Sequence, residues 1–305
     1  MVTESVRISM QTRPRNVKFQ EEGMKRALVL GGGGAVGNAW ESGVLYGLAE
    51  AGIDVGEADR IVGTSAGSQV GALVAADEPW ERLWTRQHDP LPPAGVAPTV
   101  SMVWLIRKYA EIRAQAKGAE DWLRQMGGFA QQAQTLSPED RLAELGHRLG
   151  LKSWPQRLAV VGIDASTGER LVWTKDSGVD LISAIGASSA LPGVWPCIRV
   201  GQRLAYDGGA YSMENADLAL GHEKVLILCV DVPIPTPYNL TEQVEALRRS
   251  GAEVHVVRPD EEVRRVFLQG GGSLMDARLR GPVADGARTQ GRSLAGALNH
   301  FWNRP

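Results

Sequence analysis

From Arg26 onward, short apolar runs alternate with stretches whose apolar residues recur at helical spacing. "RALVL" (26–30) reads as a buried strand, and "NAWESGVLYGLAEAG" (38–52) reads as a helix that ends at Gly52. Between them stand four consecutive glycines, 31–34. "RIVG" (60–63) reads as a second buried strand, and "TSAGSQVGALVAAD" (64–77) as a helix entered through a sharp turn. Strands and helices joined by short connections predict an α/β fold with a mainly parallel sheet and helices on both faces.

Residues 79–150 break this rhythm. A proline-rich loop, "PLPPAGVAP" (90–98), precedes "SMVWLIRKYAEIRAQAKGAEDWLRQM" (101–126). There Met102, Leu105, Tyr109, Ile112, Ala116, Ala119, Leu123 and Met126 step by three and four, which predicts one long helix with a continuous apolar face. Trp104 and Trp122 are eighteen residues apart, five full turns, so that helix would carry them on one side. Arg107, Lys108, Arg113, Lys117 and Arg124 flank the face. Two readings stand: a helix that touches a membrane surface, or a cap helix packed on the core with solvated charges. The region reads as a helical insertion or cap.

The sheet pattern then resumes. "RLAVVGIDA" and "RLVWTK", joined by "STGE", predict a hairpin, and "RVGQRLAYDGG" predicts a second. "DLISAIGASSALPG" reads as a short helix running into a turn, and "KVLILCVDV" and "AEVHVVRP" as further strands. Residues from Ser273 to Trp302 read as mostly helical, interrupted by glycines.

Composition narrows the function classes. Lys and Arg number 33 against 35 Asp and Glu, so no global basic excess points to nucleic acid. Cys197 and Cys229 both sit in apolar runs and read as buried small hydrophobes. Residues 1–24 are polar and basic, a flexible tail without a signal-peptide core, ahead of a single domain over 25–305. No run approaches the ~20 apolar residues of a membrane span, and the expected location is cytoplasmic.

Two glycine-flanked turns carry the candidate chemistry. "GGGAVG" places Gly32, Gly34 and Gly37 in the dinucleotide-binding spacing, with Asp54 about twenty residues on. The same turn can exist for tight packing alone. "GTSAG" places Ser65 between Gly63 and Gly67, after an apolar strand and before a helix, the context of a nucleophile elbow. The helix behind Ser65 points unpaired N–H groups at any oxyanion formed there. A glycine loop on a neighbouring strand would bring further bare backbone to the same oxygen. Serine needs a base. His222, in "LGHEKV", reads as solvent-facing, and His255 lies inside a strand. Asp207, in "AYDGGAYSMEN", ends a strand and is followed by Gly208 and Gly209, which alone is also a common tight turn. A carboxylate with its ordinary pKa of ~4 needs burial to act as a base near neutrality, and the apolar "GVWPCIRV" and "RLAYDGG" would supply it.

Together, "GGGGAVG", "GTSAG" and "DGG", with "ASSALPGVWPCIRVGQRLAYDGG" leading into the last, resemble the patatin-like phospholipases from about Arg26 to Val232. The resemblance implies a three-layer α/β/α fold and a Ser–Asp dyad without a catalytic histidine, metal or cofactor. By position, Ser65 would be the nucleophile and Asp207 its base. Gly32, Gly33, Gly34 and the Ala66 N–H would be the oxyanion donors. A lipid or acyl ester would be cleaved through an acyl-serine intermediate. One residue departs from the pattern: Val36 stands where the family often has Lys or Arg, which weakens the case for phospholipid over other esters. The alternatives are a nucleotide-dependent oxidoreductase using "GGGAVG" and a catalytically silent scaffold of the same fold.

Overall fold

A computed structural model describes residues 26–90, 100–231, 234, 236–271 and 273–302. The expected N-terminal tail and most of the proline-rich loop lie outside these residues. Among the described residues eight strands form one sheet: β1 Arg26–Leu30, β2 Arg60–Thr64, β3 Leu158–Asp164, β4 Arg170–Trp173, β5 Ile198–Val200, β6 Arg203–Asp207, β7 Lys224–Leu228 and β8 Glu253–Val257. Hydrogen bonding links them as β5-β6-β3-β2-β1-β7-β8, with β4 also on β3. β1 pairs parallel with β2 and β7, β2 with β3, and β7 with β8. The predicted hairpins are present as antiparallel β3–β4 and β5–β6. β1 is the unbroken apolar run of a central strand because both its faces are covered. Leu28 and Leu30 enter one core, while Ala27 and Val29 enter another on the opposite face.

Helices on both faces complete three layers. α1 Gly34–Glu50, α2 Ala66–Ala75, α7 Leu181–Ser188, α9 Glu261–Gln269 and α10 Arg280–Trp302 contribute to the first core. α8 Leu240–Arg249 packs Val244 and Leu247 into the second. α10 runs unbroken through Gly281, Gly286, Gly291 and Gly296, contrary to the expectation of interruptions. Some of its glycines, with those of α1, serve contact instead. A Cβ on Gly47 would stand 2.1 Å from the Arg288 carbonyl oxygen, and one on Gly291 2.3 Å from that of Val44. The two backbones nearly touch there, and Trp40 Nε1 of α1 donates to Gln290 Oε1 across the contact at 2.9 Å.

The insertion is helical but not as predicted. Residues 79–150 hold α3 Trp80–Thr85, α4 Met102–Gln115, α5 Ala119–Gln132 and α6 Pro138–Leu149. The single long helix breaks at 116–118, where Gly118 has φ 137°, a conformation that glycine alone adopts freely. Asp121 accepts from the Lys117 N–H at 2.9 Å and secures the restart. Leu105, Tyr109, Ile112, Leu123 and Met126 are buried as expected, but from two helices, against Ile163 of β3 and Tyr206 of β6. The two tryptophans therefore do not share a side: Trp122 is buried and Trp104 is 51% exposed. Tyr109 Oη donates to Pro192 O, in the turn after α7, and Tyr206 Oη of β6 to Leu123 O, each at 2.7 Å, tying the insertion to the core.

Candidate active site

The register of β3 brings two strand ends together. Val161 stands opposite Thr64 of β2 and Val172 of β4. The next residue, Gly162, stands opposite Leu171 of β4 and Asp207 of β6. A strand has two edges, so β2 and β6 share the edge away from β4, end to end and running toward each other. Ser65 follows the last residue of one, and Asp207 is the last residue of the other.

Ser65 sits at φ 54°, ψ −117°, a strained backbone for a residue with a Cβ. Its N–H donates to Ser188 Oγ at 3.0 Å, and its carbonyl accepts from Ser68 Oγ at 2.6 Å. The flanking glycines are dictated by contact. A Cβ on Gly63 would lie 2.6 Å from Ser68 Cα, and one on Gly67 would lie 2.2 Å from Leu30 O. Gly67 N–H donates to Gly31 O at 3.0 Å, which joins the elbow to the glycine loop. The Ser65 hydroxyl donates to Asp207 Oδ2 at 2.9 Å.

Asp207 is buried, and burial pushes its carboxyl pKa up to about 7; hydrogen bonds from Gly209 N–H and the Ser65 hydroxyl hold it from rising further. The Gly209 bond measures 2.8 Å. At Gly208 a Cβ would meet Val161 O at 2.5 Å, so the chain can leave β6 here only without a side chain. The segment that follows stitches the site together. Asn215, at φ 52°, donates from Nδ2 to Ser212 O at 2.7 Å and to Thr64 Oγ1 at 3.1 Å. Met213 O accepts from Gly32 N–H at 2.8 Å. Ser188, Met213 and Asn215 were not singled out from sequence. Asn215 alone had a signal, as the asparagine that tolerates a left-handed turn after "DGG".

The glycine loop is squeezed by protein rather than bared only toward a ligand. Added Cβ atoms would meet Leu228 O at 3.1 Å from Gly31, Met213 Cε at 2.7 Å from Gly32, Gly37 Cα at 2.8 Å from Gly33, and Leu274 O at 2.7 Å from Gly34. The expectation of a donor at Gly32 is corrected, because its N–H is already spent on Met213. The N–H groups of Gly33, Gly34 and Ala66 have no hydrogen-bond acceptor among the described residues, and all three residues line the cavity that holds Ser65 and Asp207. They begin α1 and α2, whose positive dipole ends converge there. Gly37 N–H is internal to the α1 turn, bonded to Gly33 O at 2.8 Å. Behind the loop, Glu41 of α1 is wholly buried, which raises its carboxyl pKa well above the usual range.

The dinucleotide arrangement is not formed. Asp54 precedes β2 and accepts from Gly56 N–H at 2.8 Å, capping its own turn. The glycines follow β1, which is parallel to β2, so carboxylate and loop lie at opposite ends of the sheet. The histidines are also elsewhere. His222 is buried rather than solvent-facing; it precedes β7, and its Nδ1 lies 2.9 Å from Ala219 O. His255, on β8, packs against Phe301. His147 of α6 lines the cavity, yet no histidine bonds either Ser65 or Asp207.

The cavity measures about 1010 Å³. One wall is apolar, with Met102, Tyr109, Trp122, Met126, Leu191 and Trp195. Another is polar, from α3, α6 and the start of α10. Val36 lies outside it and lines a separate apolar pocket of about 140 Å³, so the first turn of α1 brings no charge to the cavity. Cys197 and Cys229 are buried free thiols, as expected. No described helix is long and apolar enough to cross a membrane.

Solved structures similar to the chain include VipD from Legionella pneumophila, at 12% identity and TM-score 0.43, covering 90% of this chain and 67% of that one. The type III effector ExoU is 14% identical, with TM-score 0.45, covering 90% of this chain and 53% of its own. Full-length ExoU in complex with SpcU, from Pseudomonas aeruginosa, is 17% identical, with TM-score 0.39 and coverages of 88% and 53%. The chain thus spans about half the length of ExoU. No curated protein matches it. The family model of the patatin-like phospholipases matches residues 28–220, which run from β1 past the glycine loop, the elbow and Asp207. The chain belongs to the patatin-like phospholipase family.

Proposed function

We propose that this protein is a serine acyl hydrolase that cleaves fatty-acyl esters of lipids with Ser65 as nucleophile and Asp207 as its only base. The observation that carries the reading is the 2.9 Å bond from the Ser65 hydroxyl to a buried carboxylate whose pKa stands at about 7. A base poised near the working pH accepts a proton efficiently while remaining partly ionised. Asp207 takes the hydroxyl proton as Ser65 Oγ attacks the ester carbonyl. The N–H groups of Gly33, Gly34 and Ala66 receive the charge that develops on the carbonyl oxygen. Collapse breaks the ester bond, and Asp207 returns its proton to the departing alcohol. Water, deprotonated by the same carboxylate, then attacks the acyl-serine carbonyl; the Ser65 Oγ–acyl bond breaks, Asp207 returns that proton to Ser65 Oγ, and the fatty acid leaves. The apolar wall holds the acyl chain.

In this reading residues 25–305 are one catalytic domain, with 79–150 as its cap. Val103, Trp104 and Ile106, exposed on α4, form the contact with a lipid surface. The decisive experiment is fluorophosphonate labelling followed by peptide mapping. The adduct is expected on Ser65 and absent in Ser65→Ala; labelling elsewhere, or none at all, would reject the assignment.

A further inference from the structure

The polar end of the cavity carries guanidinium groups that acyl transfer does not use. Arg82 and Arg86 come from α3 and the turn after it, Arg148 from the end of α6, and Arg280 from the start of α10. Two of them are paired: Arg82 with Glu78 at 2.8 Å, and Arg148 with Glu144 at 2.8 Å. Glu144 is shared with Arg141 at 2.5 Å, so one carboxylate serves two cations. Among the described residues Arg280 donates only to backbone oxygens, Asp89 O at 2.7 Å and Ala277 O at 3.3 Å. Arg86 makes no hydrogen bond or ion pair to a described residue. The Glu78 and Asp89 carboxylates act on Arg86, and Asp89 on Arg280, but neither comes within ion-pair distance of either guanidinium.

Burial lowers the pKa of both arginines, Arg148 repels each of them, and Arg82 also repels Arg86. Partly desolvated like charges held together are unfavourable unless an anion joins them. The group is also held at a fixed offset from the reacting end. Gln87, next to Arg86, donates to Asn38 Oδ1 at 3.0 Å and to Ser42 Oγ at 3.2 Å, both on α1. The same helix begins at the glycine loop, so the arginine end and the Gly33–Gly34 end share one rigid element.

We propose that Arg86, Arg148 and Arg280 form an anion subsite that binds a phosphate-type oxyanion on the substrate's head group while the scissile ester lies at Ser65. Its link to turnover rests on the acyl-hydrolase reading; its affinity for phosphate does not. With Val36 leaving the first turn of α1 uncharged, these arginines bring positive charge to the cavity from three other elements.

Two measurements on the full chain test it. In the first, folded Ser65→Ala protein is titrated by calorimetry at low salt with inorganic phosphate and with glycerol 3-phosphate. Both are expected to bind, with affinity falling roughly 10- to 100-fold when Arg86→Gln and Arg280→Gln are added, the range for losing charge-assisted hydrogen bonds. In the second, the active protein and its Arg86→Gln, Arg280→Gln variant hydrolyse butyroyl glycerol 3-phosphate and uncharged p-nitrophenyl butyrate. The variant is expected to raise KM about 10-fold or more for the phosphate ester and to leave the uncharged ester unchanged. Phosphate binding that survives both substitutions, or equal losses on the two esters, overturns the subsite. Binding of inorganic phosphate without any advantage to the phosphate ester overturns the head-group role in favour of a free-phosphate site. Phosphate binding that behaves as expected in a protein that hydrolyses neither ester supports the subsite and rejects the acyl-hydrolase reading instead.

Discussion

Thr64 and Asp207 stand opposite consecutive residues of one strand, Val161 and Gly162, although 143 positions separate them in the chain. The distance from Ser65 to Asp207 is therefore set by sheet register rather than by the conformation of a long loop. Register in a buried sheet is strongly specified, because a one-residue slip sends every side chain of the strand to the other face. That rigidity suits a two-residue dyad, which has no third group to correct a misplaced base.

The first prediction concerns rate against pH. On the proposed mechanism Asp207 accepts the proton only when ionised, and burial pushes its pKa up to about 7. The kcat/KM for an uncharged ester, followed by pH-stat, should rise through a single ionisation near pH 7 and level off above it. A plateau already complete at pH 5 would contradict a buried carboxylate base.

The same burial leaves a signature in stability. A carboxyl whose folded pKa is raised above its unfolded value contributes stability that is full below about pH 4 and is lost as pH rises to about 7. Asp207→Asn has no such loss. Its stability should gain on the parent progressively from pH 4 to 7 and level off above, a relative gain on the order of 4 kcal/mol at ~1.4 kcal/mol per pKa unit, read as a growing difference in melting temperature. On the proposed mechanism the two residues act as a unit, so activity should fall as far as in Ser65→Ala. A pH-independent difference in melting would show that Asp207 is already ionised at low pH in the fold.

Gly33→Ala separates donation from packing. The added carbon meets Gly37 Cα at 2.8 Å and Val230 Cγ2 at 2.9 Å, so the variant should melt earlier. If the Gly33 N–H also receives the oxyanion, kcat should fall about 10²- to 10³-fold with little change in KM. The assay is run well below the lowered melting point. Normal kcat in the folded variant would restrict this position to packing.

The histidines should be dispensable for turnover. His255→Ala is expected to behave as the parent. His222→Ala is expected to melt earlier, since the ring is buried against Ala219, but to keep its kcat while folded. Loss of turnover in either folded variant would point to a different base.

Trp104 tests the lipid contact. Its ring is 51% exposed on α4 beside Val103 and Ile106. Trp104→Ala should hydrolyse a soluble ester normally and lose rate on phospholipid vesicles. Equal rates on vesicles would remove α4 from that contact.

The strand and helix alternation was legible because buried strands and amphipathic helices carry different periods. The positions of Ser65, just after β2, and Asp207, at the end of β6, were legible because each stands amid glycines after an apolar run. The break at Gly118 was not, for a specific reason. Ala116 and Ala119 keep the three-residue step across it, so the apolar phase continues while the backbone turns. His222 has polar neighbours in sequence, yet its ring folds back on the turn at Ala219. The α10 glycines read as breaks because nothing in the sequence near Gly291 names Val44 and Gly47 as its neighbours. The occupied Gly32 N–H was out of reach for the same reason: its acceptor, Met213, is distant in the chain.

The near-contact of α1 and α10 has a consequence for how the protein is made. β1, the glycine loop and α1 leave the ribosome before the elements that flank them, β7 beside β1 and α10 beside α1. Until α10 emerges, the groove around Gly43 and Gly47 is open to water, and the loop it supports lacks that brace. The glycine loop is therefore synthesised well before the helix that consolidates it, with the long-range closure that slows folding. Nascent chains halted before Arg280 should remain sensitive to protease throughout α1, and chains extended beyond Trp302 should not.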